Sequence, residues 1–566
     1  MLCGETHGNN RCFEKDESII DVISNAFGDI SGFDKISVLD EVRAYMKKFN
    51  TTGACFSDRH YMVSLDQRID QFKELVDAET YFVFNRARQY GKTTVLKALE
   101  KELQAQYYVA SLDFQMLGNK SFEDEVLFSK SFVKLFVKKM RTCQSVSPAV
   151  QKLLEELLQD ANQNELYLLI DLFLKLSELC ILSDKPIVLM IDEADNASNN
   201  QVFLDFLAQL RGYYLNRDNE PTFQSVILAG VYDVRNFKRK IRPDEEHSTN
   251  SPWNIAAQYE IHMEFSKKEI AVMLAEYERD HHTEMNLDEM SALLYNYTAG
   301  YPYLVSRLCQ IIDEAALQWT REGFLEAERR LAVEQNTLFE SLINKLDTYE
   351  KLRQMIELIL FHGRKISYNM DDYMLSLASM FGFIKNVNGS VMIANRIFEI
   401  RLYNYYLTSD EIKQCDLYQM SVFDRNQFVL KGVLNMRLIL EKFVVHFHEL
   451  YGNSSDRFKE EYGRKHFLLY LRPIINGTGN YYIEAQTRDD RRTDVVVDYH
   501  GQQYIIEMKI WRGQEYNRQG EQQLAEYLDA YGMNVGYLLS FNFNKNKKIG
   551  VRENMIGNKT IIEAVV

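Results

Sequence analysis

The sequence predicts an α/β protein: a parallel sheet bearing a phosphate-binding loop, followed by helical segments and a second α/β unit near the C-terminus. Three observations carry this. Between residues 50 and 310 short apolar runs alternate with amphipathic stretches, the pattern of strands buried beneath helices. One junction, Tyr81 to Leu103, sets Gly91-Lys92-Thr93 between an apolar run and an amphipathic helix. Far downstream, Arg492 to Ile510 reads as a β-hairpin with carboxylates and a lysine at fixed positions.

At 566 residues the chain has room for roughly three to four domains. A net charge of -15 argues against a protein that coats nucleic acid, though not against a local basic cleft. The seven cysteines are scattered without a C-x-x-C pair, a reduced pattern rather than a disulfide framework or zinc site. Apolar runs such as Ile187 to Ile191 are too short to span a bilayer. The expected setting is the cytoplasm, with no membrane partner. Residues 1–45 are polar and acidic, with Ile19, Ile20, Val22 and Ile23 spaced for one helix. Met46 reads as a natural beginning, and the segment before it as an appendage or start-site artefact.

In the first unit, Tyr81 to Phe84 reads as a buried strand and Val95 to Leu103 as a helix. Backbone N–H groups and the positive helix end favour an anion between them. Lys92 would reach the β- and γ-phosphates of ATP, and the Thr93 hydroxyl would hold Mg²⁺. The pattern G-x-x-x-x-G-K-[ST] wants glycine at position 86, which is arginine. An ordinary backbone φ is therefore required there, and a wider loop. Arg86 and Arg88 either contact phosphate or are solvated loop charges.

Tyr107 to Gln115 is a further strand, and 121–142 and 148–182 are helical by apolar period. Lys185 to Asp195 is a buried strand ending in carboxylates. Asp192 suits the Mg²⁺ water shell, and Glu193 the polarisation of an attacking water. A solvated acidic turn would look the same, but both halves in this order favour nucleotide binding. Asp192-Glu193-Ala194-Asp195 also spells a helicase string, yet no S-A-T motif or second recombinase-like lobe accompanies it. Ser225 to Val231 is another strand, with Tyr232, Asp233 and Arg235 just past its end. Ligands of open α/β sheets bind at such carboxyl ends. Residues 266–318 read as a helical domain containing Gly300-Tyr301-Pro302. In 345–405, helices precede two β-runs joined through Asn388-Gly389, which fits a winged helix. No clustered basic helix marks it for DNA, so a linker or interaction role is the better reading. Residues 410–470 are mostly helical.

The second site lies on the hairpin turning at His500-Gly501. Pairing about that turn puts residues whose numbers sum to 1001 opposite each other, so Asp494 faces Glu507. Alternation puts Lys509 on the face of Glu507. Opposed carboxylates repel unless something positive lies between them, and Lys509 plus Mg²⁺ or Mn²⁺ would supply that. Gln523 and Tyr527 are spaced to share one helix face. Trp511, Arg512, Arg491 and Arg492 are consistent with a nucleic-acid backbone nearby.

Two resemblances extend this reading. Phe49 to Gly53, His60 to Leu65, Asn85 to Thr94 and Ser111 to Gln115 resemble the bacterial AAA-like ATPase family, whose members often end in a PD-(D/E)XK nuclease-like domain. Related AAA-ATPase-like proteins carry R-P-R-R-F-G-K-S, also without the first glycine, so Arg86 is normal there. Gly300-Tyr301-Pro302 resembles the G-x-P element of signal-transducing P-loop ATPases. Asp494, Glu507 and Lys509 resemble the D-x(n)-E-x-K arrangement, and Gln523 with Tyr527 the Q-x-x-x-Y element of the RecB-like nuclease branch.

The resemblance implies an AAA-like P-loop NTPase core (46–265), a helical lid (266–344), a winged-helix-like domain (345–410) and a helical linker with an α/β restriction-endonuclease-like domain (411–566). It implies that nucleotide is held by Arg86, Arg88, Gly91, Lys92, Thr93, Thr94 and Asp192, with Glu193 catalytic. In the nuclease-like part Asp494 and Glu507 would bind metal, Lys509 would orient water and stabilise charge, and Gln523 and Tyr527 would assist. Glu461, on a helix, or Glu484 would be the extra acidic ligand. The expected function is ATP-regulated cleavage of nucleic acid, DNA before RNA, in defence against foreign DNA, with a homo-oligomer as a possible assembly. The alternative is a nucleotide-switched scaffold whose nuclease fold grips nucleic acid or protein without cutting.

Overall fold

The computed structural model describes residues 47–566 apart from 144–145, 198–199, 232–254, 258, 260, 363–365, 407–415, 431, 452–459, 476–478, 485–492, 500–501, 512–513, 531, 543 and 545–546. The expectations for residues 1–45, for Tyr232, Asp233, Arg235, Arg491, Arg492 and Arg512, and for the turn His500-Gly501 lie outside the described residues, as do the side chains of Glu461, Glu484 and Asp494.

Strands β1 (Phe82–Asn85), β2 (Tyr108–Asp113), β3 (Ile187–Asp192) and β4 (Ser225–Gly230) form a sheet in the order β1-β4-β3-β2, every pair parallel. All their carboxyl ends therefore lie along one edge. β3 and β4 are near-continuous apolar runs because helices cover both faces. On one face α1 (Asp66–Asp77) and α2 (Lys92–Leu103) bury Phe72, Val76, Leu96 and Leu99 against Phe82 and Phe84. On the other, α3 (Glu125–Met140), α4 (Pro148–Gln163), α5 (Leu169–Leu182) and α6 (Gln201–Leu215) enclose a phenylalanine-rich core around Phe128, Phe132 and Phe206. The helix expected over 148–182 is two helices. Asn164 Oδ1 accepts from the Leu166 amide at 3.1 Å and Asp171 Oδ2 from the Leu168 amide at 2.9 Å. Such side-chain bonds compete with the helical ladder, which apolar period does not register.

A helical array follows: α7 (Lys267–His281), α8 (Leu287–Thr298), α9 (Pro302–Glu314), α10 (Arg321–Val333) and α11 (Thr337–Thr348). A Ser266–Glu269 capping box opens α7. Gly300 sits at φ +74°, where an added Cβ would lie 2.1 Å from the Phe265 carbonyl oxygen, so only glycine fits. Pro302 then occupies the first turn of α9, its fixed φ suited to starting a helix.

The next module is α12 (Glu350–His362), α13 (Tyr373–Met380), the hairpin β5 (Ile384–Val387)/β6 (Ser390–Ile393) and α14 (Arg396–Tyr406). Val387 pairs with Ser390 across Asn388 (φ +49°) and Gly389 (φ +78°), the two left-handed residues of a type I′ turn. After α15 (Asp416–Asp424), a small hairpin β7 (Val429–Leu430)/β8 (Val433–Leu434), α16 (Met436–Tyr451) and α17 (Glu460–Ile475) comes the second sheet.

Its strands are β9 (Gly479–Glu484), β10 (Thr493–Tyr499), β11 (Gln502–Ile510), β12 (Val535–Phe541), β13 (Gly550–Ile556) and β14 (Lys559–Val565), in the order β13-β14-β12-β11-β10-β9. β11, β12 and β14 are parallel; β9, β10 and β13 run against their neighbours. Helix α18 (Gln514–Ala530) packs on one face through Leu524, Tyr527 and Leu528. Residues of α16 and α17 pack on the other with Val495, Val497 and Ile506. One hydrophobic cluster runs from Phe49 through the helical array to this sheet, and a Lys465–Glu357 ion pair (2.9 Å) ties α17 to α12. Among the described residues no helix is long and apolar enough to cross a membrane.

Candidate functional site

The first site forms where β1, β2, β3 and β4 end. Gly91, at φ +80°, caps α2 and has no side chain to satisfy the first amides, which leaves them for an anion. Arg86 is not among the residues with positive φ; Gln89 (φ +57°) and Gly91 supply the left-handed turns instead. The loop thus closes without the first glycine. The Lys92 amine, only 7% exposed as a residue, donates to the carbonyls of Arg86 (3.0 Å) and Ala87 (3.1 Å). Those oxygens occupy the lysine in the way phosphate oxygens would. Burial pushes its amine below the ordinary lysine range, against the pull of Glu193, Asp195 and Asp192.

Thr93 Oγ1 donates to Asp192 Oδ2 at 3.0 Å, so the two groups expected to share a cation are adjacent. Burial raises the carboxyls of Asp192 and Glu193 above their ordinary range, and Asp195 adds to the rise at Glu193. A carboxylate so raised is better matched to accepting a proton near neutral pH. Glu193 also sits at φ +53°, an unfavourable conformation for a side chain of its size, of the kind concentrated at working sites.

The cleft over the loop has a volume of about 560 Å³, ample for a nucleotide. Its walls include residues to which the sequence reading gave no role: Asn50 to Gly53, Cys55, Val63 and Leu65 on one side, Pro302, Tyr303 and Ser306 on the other. Thr94 tethers the first wall, its hydroxyl accepting from the Cys55 amide at 3.0 Å. Thr51 Oγ1 bonds Gln310 Oε1 at 2.9 Å, joining the two walls.

The two arginines part company. Arg88 lines this cleft, and its carbonyl accepts from the buried Tyr301 hydroxyl. Arg86 instead donates to the carbonyls of Asn85 and Ile261 and lines a neighbouring cavity. Its guanidinium is thus held by backbone carbonyls at the end of β1 rather than solvated as a loop charge.

In the second site five pairs from Val495↔Ile506 to Tyr499↔Gln502 keep the sum 1001. The pairing stops at Val495↔Ile506, one residue short of Asp494 and Glu507, and β10 is irregular against β9 between Thr493 and Val496. Glu507 is buried, and Lys509 Nζ lies 3.5 Å from its Oε1 and donates to Gln523 Oε1 at 2.8 Å. Gln523 therefore aims the lysine, a contact that the spacing alone does not show. Tyr527 packs in the apolar cluster beneath α18 with Val496 and Ile505. Glu461 lies on α17 and Glu484 ends β9 paired with Thr493, next to Asp494. Among the described residues no group of three or more His, Cys, Asp or Glu gathers as a metal cage, but two of the three expected ligands have no described side chain.

One residue of this site was missed. A Cβ at Gly520, inside α18, would lie 2.9 Å from Lys509 Nζ. A glycine inside a helical pattern was the available signal, since it costs about 1 kcal/mol against alanine and calls for a reason. Gly520→Ala should raise or preserve helix stability yet displace Lys509, and a reaction that depends on the position of that lysine should slow roughly 10-fold or more. Melting followed by circular dichroism and the rate of that reaction on the same sample check this; an unchanged rate would sink it.

These features define a P-loop ATPase fold coupled to a nuclease-like α/β unit. Residues 65–409 match the AAA-like domain family, and the chain belongs to it. Residues 480–553 match the PD-(D/E)XK nuclease superfamily. No curated protein matches. Among solved structures, the Walker-type ATPase of Pyrococcus abyssi is similar at 14% identity, over 62% of this chain and 99% of that one, with a TM-score of 0.43. The ORC2 protein of Aeropyrum pernix in its ADPNP–ADP complexes matches at 11% identity over 64% and 98%, with a TM-score of 0.32. The A. pernix ORC1 protein in complex with DNA matches at 13% identity over 61% and 93%, with a TM-score of 0.29. Both family resemblances read from the sequence are borne out.

Proposed function

We propose that the chain is a nucleic-acid nuclease, dependent on a divalent cation and controlled by ATP, with DNA as the first substrate to try. The observation that carries this is the set Glu507–Lys509–Gln523. Nothing in core packing calls for a lysine held beside a buried carboxylate by an amide from another element. A scissile phosphate lying over Glu507 would place its developing charge against Lys509, the kind of preorganised donor that lowers such barriers. The oxygens of Glu507 and Asp494 suit Mg²⁺ or Mn²⁺, which when bound would supply Lewis-acid charge.

On the ATP side, the amides at the start of α2 and Lys92 would take the phosphates, Thr93 and Asp192 would hold Mg²⁺, and Glu193 would accept the proton of the attacking water. Phosphate would draw Lys92 away from the Arg86 and Ala87 carbonyls. Ala87 Cβ lies only 3.0 Å from where a Cβ on Gly382 would be, just before β5, and Tyr301 of the helical array bonds Arg88. The loop thus touches both modules that lie between the two sheets in sequence, a physical route for nucleotide state to bias the nuclease-like unit.

The test incubates the full chain with plasmid and linear DNA, with Mg²⁺, Mn²⁺ or chelator, and with or without ATP. Cutting should require the ion and change with ATP. Binding without cutting under every condition would favour the nucleotide-switched scaffold.

A further inference from the structure

We propose that the cavity behind the phosphate loop binds a small zwitterion, of the α-amino acid class, with Glu264 taking its ammonium group and Lys385 its carboxylate. Such a site is independent of the β11 centre. The cavity has a volume of about 360 Å³, within the range of small-ligand sites. Three parts of the chain line it. The loop contributes Arg86, Ala87 and Tyr90; Glu264 and Tyr301 come from the helical array and the residues just before it. The following module adds α13, the start of β5 and the end of β6.

Opposite charges line this space without closing on each other. Glu264 Oε1 accepts from the Tyr90 hydroxyl at 3.1 Å, which leaves its second oxygen for another donor. Lys385, on β5, is open to water yet closely surrounded. Desolvation by those neighbours pushes its amine below the ordinary range, against the pull of Glu399 and Glu264. Lys385 and Glu264 thus feel each other's charge, but among the described residues no ion pair joins them. Packing alone would favour their pairing, or apolar groups in their place. A cation and an anion held apart along one cavity are the two partners that a zwitterion requires.

The lysine end carries a second donor. Asn395 lines the cavity and is only 5% exposed. Its Oδ1 accepts from the Phe398 amide at 2.8 Å and so caps α14, while among the described residues its amide nitrogen has no partner in the chain. The positive end of α14 lies beside it and favours an anion there. A carboxylate between Lys385 and Asn395 would satisfy both. Tyr301, Met380, Ile384 and Ala394 offer an apolar wall for a side chain.

The amino acid and ATP would meet one loop from opposite sides. Arg86 and Ala87 line the cavity while their carbonyls receive Lys92, and Tyr90 immediately precedes Gly91. Fixing Tyr90 through Glu264 should therefore change ATP affinity, and ATP should change affinity for the amino acid by the same factor.

Melting of the full chain with each standard L-amino acid, followed by calorimetry on those that raise the midpoint, tests the site. At least one should bind, one molecule per chain, and alter ATP affinity several-fold. Its N-acetyl and amide derivatives, each lacking one charge, should bind roughly 10-fold or more weakly, the cost of one lost charged hydrogen bond. The same loss is expected for the unmodified amino acid with Glu264→Gln or Lys385→Met, whereas Lys92→Met should bind it within a few-fold of wild type. Binding by no amino acid, or undiminished binding to both cavity variants, would overturn the proposal. Binding lost only in Lys92→Met would place the ligand in the nucleotide cleft and overturn it equally. ATP affinity unchanged by saturating amino acid would overturn the coupling through the loop. Should Glu264→Gln fail to fold, the Lys385→Met variant and the two derivatives decide.

Discussion

Lys509→Ala is expected to lower cleavage by about 100- to 1000-fold, the usual cost of deleting one preorganised donor from a reacting centre. The amine is held from two sides, by Glu507 at 3.5 Å and Gln523 at 2.8 Å, so its position does not depend on substrate. Its loss removes the charge that faces a phosphate in the transition state and leaves Glu507 buried without its lysine. Some stability is lost as well, on the order of 1–3 kcal/mol for a buried polar group left unpaired. The readout must therefore separate folding from chemistry. Lys509→Met keeps most of the volume, and binding measured in Ca²⁺ should stay within a few-fold of wild type in both variants. Retained cutting in a folded Lys509→Met chain would remove Lys509, and the hairpin centre built on it, from the reaction.

What the sequence made legible is what local physics controls. A strand–loop–helix junction, the acidic end of β3 and the Asn388-Gly389 turn depend on neighbours a few residues away, and all are found. The register of β10 with β11 followed from one turn, because a one-residue slip would carry Val495 and Val497 from the core face to the other. What stayed hidden depends on partners far along the chain. Arg86 turns to the carbonyl of Ile261, 175 residues on, which no loop motif announces. The cleft walls at Asn50 to Gly53, Cys55, Val63 and Leu65 and at Pro302, Tyr303 and Ser306 carry no charged group to mark them in the sequence, and packing of the helical array on the sheet brings them together. Gly520 is meaningful only once Lys509 of β11 is seen to fill the space its missing side chain leaves.

At the other end of the molecule, Lys92→Met should weaken ATP binding by about 30-fold or more, as expected when one partner of a buried charged contact is truncated. Stability should respond quite differently. In the absence of phosphate the amine is buried, pushed below its ordinary range, and satisfied only by the carbonyls of Arg86 and Ala87. Replacing it with an apolar side chain of similar length removes that desolvation cost and those two bonds together, so melting should shift by only a few degrees. Nucleotide should raise the melting temperature of wild type, because it binds the folded state, and should no longer do so in the variant at the same concentration. A titration of ATP by calorimetry beside those melts gives both numbers. Equal affinity in the two proteins would remove Lys92 from the phosphate site. Loss of affinity with cutting that no longer responds to ATP would instead join the two sites, since Lys92 lies on the loop that touches Gly382 and Tyr301.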